Sequence, residues 1–176
     1  MRPKAKPPRR KWSDPVYSRP KPFSPRWWRE MSPESFGDRP AARRSDPAAD
    51  VAAKMAVGCA SRGDGYNAIQ ALKSIKNGSV RDEAAVAAAE ASAARLDAYH
   101  AVVFLKMARP GFQRDEAAVA VAEAFAARRD GYNAVQALKA AQAGAVRDAG
   151  ALAVAEILGA GGDAFNAMSA LKVRDS

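Results

Sequence analysis

Tyr66, Tyr99, Tyr132 and Phe165 follow one another at steps of 33 residues. Each sits near the start of the same phrase: DGYNAIQALK at 64–73, DAYHAVVFLK at 97–106, DGYNAVQALK at 130–139 and DAFNAMSALK at 163–172. A second phrase keeps the same step, since RDEAAVA occurs at 81–87 and again at 114–120, with echoes in RDAGALA at 147–153 and AADVAAK at 48–54. Periods of this size mark stacked supersecondary units, each covering an apolar face that its neighbour cannot bury alone.

Charge divides the chain. Residues 1–47 hold 13 Lys and Arg against 5 Asp and Glu, while the remaining 129 residues are within one charge of neutral. The net charge of +9 therefore belongs almost wholly to an N-terminal arm, an asymmetry suited to polyanionic partners. The arm carries all three tryptophans and prolines at 3, 7, 8, 15, 20, 22 and 25, with few aliphatic residues. Such a segment lacks the apolar area to fold alone, and its prolines forbid the amphipathic helix of an organellar presequence. Residues 48–176 suffice for one modest core. The single cysteine, Cys59, excludes an internal disulfide and any cysteine-based metal motif, and its Ala-rich setting suggests a small buried thiol. No apolar run reaches membrane-spanning length.

Each period reads as two helices, in units 48–80, 81–113, 114–146 and 147–176. The first helix is expected to open at Asp82, Asp115 or Asp148 as N-cap, with Glu83 or Glu116 in the first turn, and to stop near Arg95, Arg128 or Gly161. Its apolar positions are Val86, Ala89, Ser92 and Ala93, then Val119, Ala122, Phe125 and Ala126, then Leu152, Ala155, Leu158 and Gly159. The second helix is expected to be capped by Asp64, Asp97, Asp130 or Asp163. Its expected buried stripe is Tyr66, Ile69, Leu72 and Ile75 in one unit and Tyr132, Val135 and Leu138 in another. Gly78, Gly111 and Gly144 serve as its left-handed stops. The fold class that follows is all-α: a short right-handed solenoid of four 33-residue αα-hairpins behind an extended basic arm.

The DGYNAVQALK-type second helices and AAVAxAE-type first helices give residues 48–176 a resemblance to the broad class of αα-hairpin solenoids, which includes tetratricopeptide and pentatricopeptide repeats. The resemblance implies the architecture and a binding role. The pair Tyr132-Asn133 is similar to the start of a pentatricopeptide helix, but the register to Gly144 differs by one residue. A base-reading code is therefore not carried over onto Asn67, Asn133 or Asn166.

The candidate binding residues lie in the arm, in two clusters: Arg9, Arg10, Lys11 and Trp12, then Arg26, Trp27, Trp28 and Arg29. Cations gain from phosphate contact by counterion release, and indoles stack on exposed bases, so interleaving the two suits irregular RNA. The competing use of Trp27 and Trp28 is docking into a protein groove. Two further series keep the period, Glu90, Glu123 and Glu156, and Lys73, Lys106, Lys139 and Lys172. Their simplest reading is an outer acidic face and cations that complement helix C-termini, although a lysine row could also track a phosphate backbone. His100 takes the asparagine register with no second His or Cys, which suits a polar groove or inter-helix position better than a metal site.

No nucleophile elbow, phosphate-cradling Gly loop or His pair is present. Gly159, Gly161 and Gly162 join two helices, not a strand and a helix. The expectation is a non-catalytic structural component without cofactor, metal or small-molecule substrate. Its partners would be rRNA or other structured RNA and the neighbouring proteins of a large ribonucleoprotein, an organellar (mitochondrial) ribosome above all. The alternative is a scaffold subunit of a protein-only respiratory or photosynthetic complex.

Overall fold

A computed structural model describes residues 46–175, which fall within one compact unit, Arg44–Ser176. It is all-α, with no strand among the described residues. The helices of this region are α1 Pro47–Arg62, α2 Gly65–Ser74, α3 Gly78–Ala94, α4 Ala98–Met107, α5 Phe112–Ala127, α6 Gly131–Leu138, α7 Ala145–Ala160 and α8 Ala164–Arg174.

The start of α1 follows from three adjacent residues. Asp46 caps it by accepting the Ala48 N–H at 3.0 Å, and Pro47 fills the first turn, where its missing N–H costs nothing. The odd helices all end the same way. The N–H groups of Asp64, Asp97, Asp130 and Asp163 reach back to the carbonyls of Cys59, Ser92, Phe125 and Leu158, the six-to-one bond of a Schellman turn. The residue before each aspartate is left-handed: Gly63 and Gly162 in two turns, Leu96 (φ 65°) and Arg129 (φ 63°) in the others. Those four aspartates then cap the even helices, as the sequence leads one to expect.

The expected starts of the odd helices need correction. Asp82, Asp115 and Asp148 are not N-caps; Asn77, Gly111 and Gly144 hold that place, and the aspartates lie inside the helices. Asp82 and Asp115 are turned to another task. Asp82 Oδ1 accepts the backbone N–H of Arg109 at 3.1 Å, and Asp115 Oδ1 accepts that of Gln142 at 3.0 Å. Each thus pins the loop that follows the next even helix.

Gly78, Gly111 and Gly144 are correspondingly not the stops of the even helices. Those stops are Ile75, Ala108 and Lys139. Ile75 and Ala108 take extended dihedrals and turn into the core, at 2% and 3% exposure, so burial ends the helix before a glycine is needed. Gly144, with φ 148° and ψ −178°, adopts instead a conformation open essentially to glycine alone and leads the chain into α7.

Within the core, α1 packs on α2 and α3, α3 on α4 and α5, α5 on α6 and α7, and α7 on α8; α4, α6 and α8 also touch in sequence. Fully buried Ala85, Ala88 and Ala89 of α3 and Ala118 and Ala122 of α5 let these helices approach closely while keeping high helix propensity. Leu72, Phe104, Leu105, Phe125, Leu138 and Leu158 fill the remaining volume, each contributing about 1.5–3 kcal/mol by burial. Cys59 is buried among them. Leu152, expected on the apolar face, is 44% exposed.

Candidate nucleic-acid interface on the even helices

All four rings of the aromatic series point into solvent. Tyr66 is 70% exposed, Tyr99 73%, Tyr132 67% and Phe165 79%, so Tyr66 and Tyr132 do not belong to the buried stripe expected of them. The stripe consists instead of Ala68 and Leu72 in α2, Ala101, Phe104 and Leu105 in α4, and Ala134, Val135, Ala137 and Leu138 in α6. Each ring stands at the second residue of its helix, next to the residue that closes the cap.

The cap is built alike in all four helices. Asp64 Oδ1 accepts the Asn67 backbone N–H at 3.2 Å, while Oδ2 accepts the Asn67 side-chain amide at 2.7 Å. Asp130 with Asn133 and Asp163 with Asn166 repeat both bonds. In α4 the partner is His100, whose Nδ1 lies 2.7 Å from Asp97 Oδ2. The asparagine bonds hold the carboxyls of Asp64 and Asp163 below the ordinary carboxylate range. Each bond also ties the asparagine amide to its own cap.

His100 is an inter-helix residue, as its register suggests. Its ring meets Tyr99 edge-on at 5.0 Å and lies over Phe104 at 6.1 Å. A Cβ on Gly65 of α2 would fall 2.1 Å from His100 Cδ2, and one on Gly131 of α6 would fall 2.6 Å from Asn166 Cβ. Glycine at these two places lets one capped helix start lie directly against the next.

Lysines share this face. Lys73, Lys106, Lys139 and Lys172 each follow their aromatic residue by seven positions, two helical turns and about 10 Å along the axis. All four are exposed, and none forms an ion pair among the described residues. No Asp or Glu lies within the bounds of α2, α4, α6 or α8. The acids of the described residues sit mainly in the odd helices, including Glu90, Glu123 and Glu156. Burial pushes the carboxyls of Glu90 and Glu123 above their usual range. The near-neutral sum of residues 48–176 thus conceals a pattern: each even helix runs from a capping aspartate and a ring at its start to a lysine at its end, while the odd helices hold most of the other carboxylates.

The remaining candidates are structural. Arg81, Arg114 and Arg147 recur at the same period, each with a buried Nε lacking a hydrogen-bond partner. Arg114 and Arg147 stand beside the interior aspartates Asp115 and Asp148, within the helix packing. A cleft beside the loop between α4 and α5 is lined by Asp82, Arg109, Phe112 and Arg114, but Asp82 is occupied by Arg109 on both carboxylate oxygens. Among the described residues no three His, Cys, Asp or Glu side chains gather where a metal could bind, and no helix is long and apolar enough to cross a membrane. The arm clusters Arg9, Arg10, Lys11 and Trp12, and Arg26, Trp27, Trp28 and Arg29, lie outside the described residues. No protein-family model, curated protein or solved structure matches the chain.

Proposed function

We propose that this chain is a non-catalytic structural component of a large ribonucleoprotein, of the kind an organellar (mitochondrial) ribosome accumulates. In this reading residues 48–176 form a short right-handed solenoid of four αα-hairpins that docks on neighbouring proteins, and the basic arm contacts structured RNA. The observation that carries it is the concentration of the chain's net positive charge in residues 1–47, beside a body whose total charge is close to zero. The four exposed rings support docking, because aromatic side chains that recur on one end of successive helices supply large contact area at low entropic cost.

The test is salt-dependent binding of the full chain to a structured RNA hairpin, compared with a variant in which Arg9, Arg10, Arg26 and Arg29 are alanine. Every phosphate that the variant no longer neutralises should flatten the log–log salt slope by roughly 0.7–0.9. Wild-type affinity that is indifferent to salt between about 50 and 200 mM removes the electrostatic mechanism. A protein-only scaffold would stay in its native complex after nuclease digestion, and release of the chain under that treatment excludes this second reading.

A further inference from the structure

We propose that the exposed face of the even helices is itself a binding site for single-stranded RNA, in which bases stack on Tyr66, Tyr99, Tyr132 and Phe165 while Lys73, Lys106, Lys139 and Lys172 engage the phosphates. The proposal rests on the reading of the chain as an RNA-associated protein and adds a second contact surface to the arm.

Three observations lead to it. Phe165 replaces tyrosine in the fourth position, so the four side chains have in common a ring face and not a hydroxyl. A ring face is a platform on which planar groups stack, and four of them recur at one period. The lysines are exposed and without ion pairs among the described residues, at the opposite ends of the even helices from the capping aspartates, so the ligand should present a negative group at each lysine end. Alternating planar groups and negative charges describe a single nucleic-acid strand. Proteins that bind such strands without reading sequence combine aromatic platforms with a cationic track.

The capping pairs then fix orientation and specificity. Asp64, Asp97, Asp130 and Asp163 lie at the ring end of each helix, so phosphates belong at the lysine end and bases at the rings. Asn67, Asn133 and Asn166 each give an amide hydrogen to these aspartates, and the rings themselves offer only a face, which any base can meet. The site is sequence-tolerant, taking about one base per hairpin, the ratio other helical-repeat RNA binders use.

The experiment uses the full chain and two RNA probes, a twelve-nucleotide oligouridine and a base-paired hairpin, against two variants. One variant carries Tyr66→Ala, Tyr99→Ala and Tyr132→Ala, all at exposed positions; the other carries the arm substitutions above. The triple ring variant is expected to lose roughly tenfold or more in oligouridine affinity per ring, with hairpin binding unchanged and circular dichroism intact. Phenylalanine at the same three positions should restore binding. Ultraviolet crosslinks of oligouridine should map to the peptides holding Tyr66, Tyr99, Tyr132 and Phe165. Unchanged oligouridine affinity in the ring variant, or crosslinks confined to residues 1–47, overturns the proposal. So does ring-dependent capture of a proline-rich peptide probe with no ring dependence for RNA. Loss of hairpin binding in the arm variant reports separately on the arm, so failure of one site is distinguishable from failure of the other.

Discussion

Replacing Gly131 with alanine tests whether the capped helix starts really lie against one another. A Cβ there would fall 2.5 Å from Asp163 Oδ2 and 2.6 Å from Asn166 Cβ. Neither neighbour is the free end of a flexible chain. Asn166 Cβ is tied to the backbone of α8, and Asp163 Oδ2 is held by the Asn166 amide at 2.8 Å. Overpacking of this sort costs about 1–3 kcal/mol, and straining the cap adds about 1 kcal/mol. Better helix propensity returns at most about 1 kcal/mol, which leaves a net loss of about 1–3 kcal/mol. Gly159→Ala is the internal control: Gly159 lies in α7 with nothing within 4 Å of its would-be Cβ, so the same substitution should stabilise by about 0.5–1 kcal/mol. Urea unfolding followed by circular dichroism at 222 nm measures both. If Gly131→Ala is as stable as wild type, or moves with Gly159→Ala, the close approach of α6 and α8 at their caps is wrong.

Other outcomes follow from single contacts. Leu96→Gly and Arg129→Gly should each stabilise by about 0.5–1 kcal/mol in the same assay, because a left-handed residue with a side chain costs about 1–2 kcal/mol and the flexibility of glycine returns only part of it; destabilisation by either would contradict the Schellman geometry. Asp115→Ala should cost about 1–3 kcal/mol and speed hydrogen exchange at the Gln142 amide, whereas Asp115→Asn, which keeps an acceptor, should cost less. Burial raises the Glu123 carboxyl, so ionisation is penalised in the folded chain only. That penalty is absent below the unfolded value of about 4.3 and enters as pH rises through the higher folded value. Glu123→Gln should therefore raise Tm at pH 7 and leave it unchanged near pH 3, and an equal shift at both would refute the cause. The opposite sign holds for Asp163, lowered first by the Asn166 side chain: its charge-dependent stabilisation is present above the unfolded value of about 3.9 and fades as pH falls through the lower folded value, so Asp163→Ala should cost more at pH 7 than in strong acid.

Helix count, the even-helix caps and the ends of the odd helices were legible because each is set by neighbours in sequence. An aspartate before the phrase GYNA or AFNA, with asparagine three residues on, is a local capping unit, and Arg95, Arg128 and Gly161 fall where the pattern breaks. The starts of α3, α5 and α7 were not legible from the same rules. Asp82 and Asp115 have the right residue type for a cap, but their acceptors serve N–H groups 27 residues later, Arg109 and Gln142. Only the folded chain brings those groups near. Gly111 and Gly144 mislead for a related reason: a glycine between two helices can end the first or begin the second, and Ala108 and Lys139 had already ended the first.

The aromatic series shows how a correct period can carry a wrong face. Grouping Tyr66, Ile69 and Leu72 moves along the helix in steps of three, and at about 100° per residue two such steps turn the helix through about 600°. Tyr66 then points about 120° away from Leu72, too far to share one buried stripe. Ala68 and Leu72, four residues and about 40° apart, hold a single face, and both are fully buried. Seven residues from Tyr66, about 20° off its direction, lies Lys73, and the same offset joins Tyr99 to Lys106, Tyr132 to Lys139 and Phe165 to Lys172. A lysine that recurs on the direction of an aromatic ring marks that direction as solvent-facing, since Lys is almost never fully buried unless paired. The exposed ring row was therefore written in the angular relation between two series that share one period, and neither series reveals it alone.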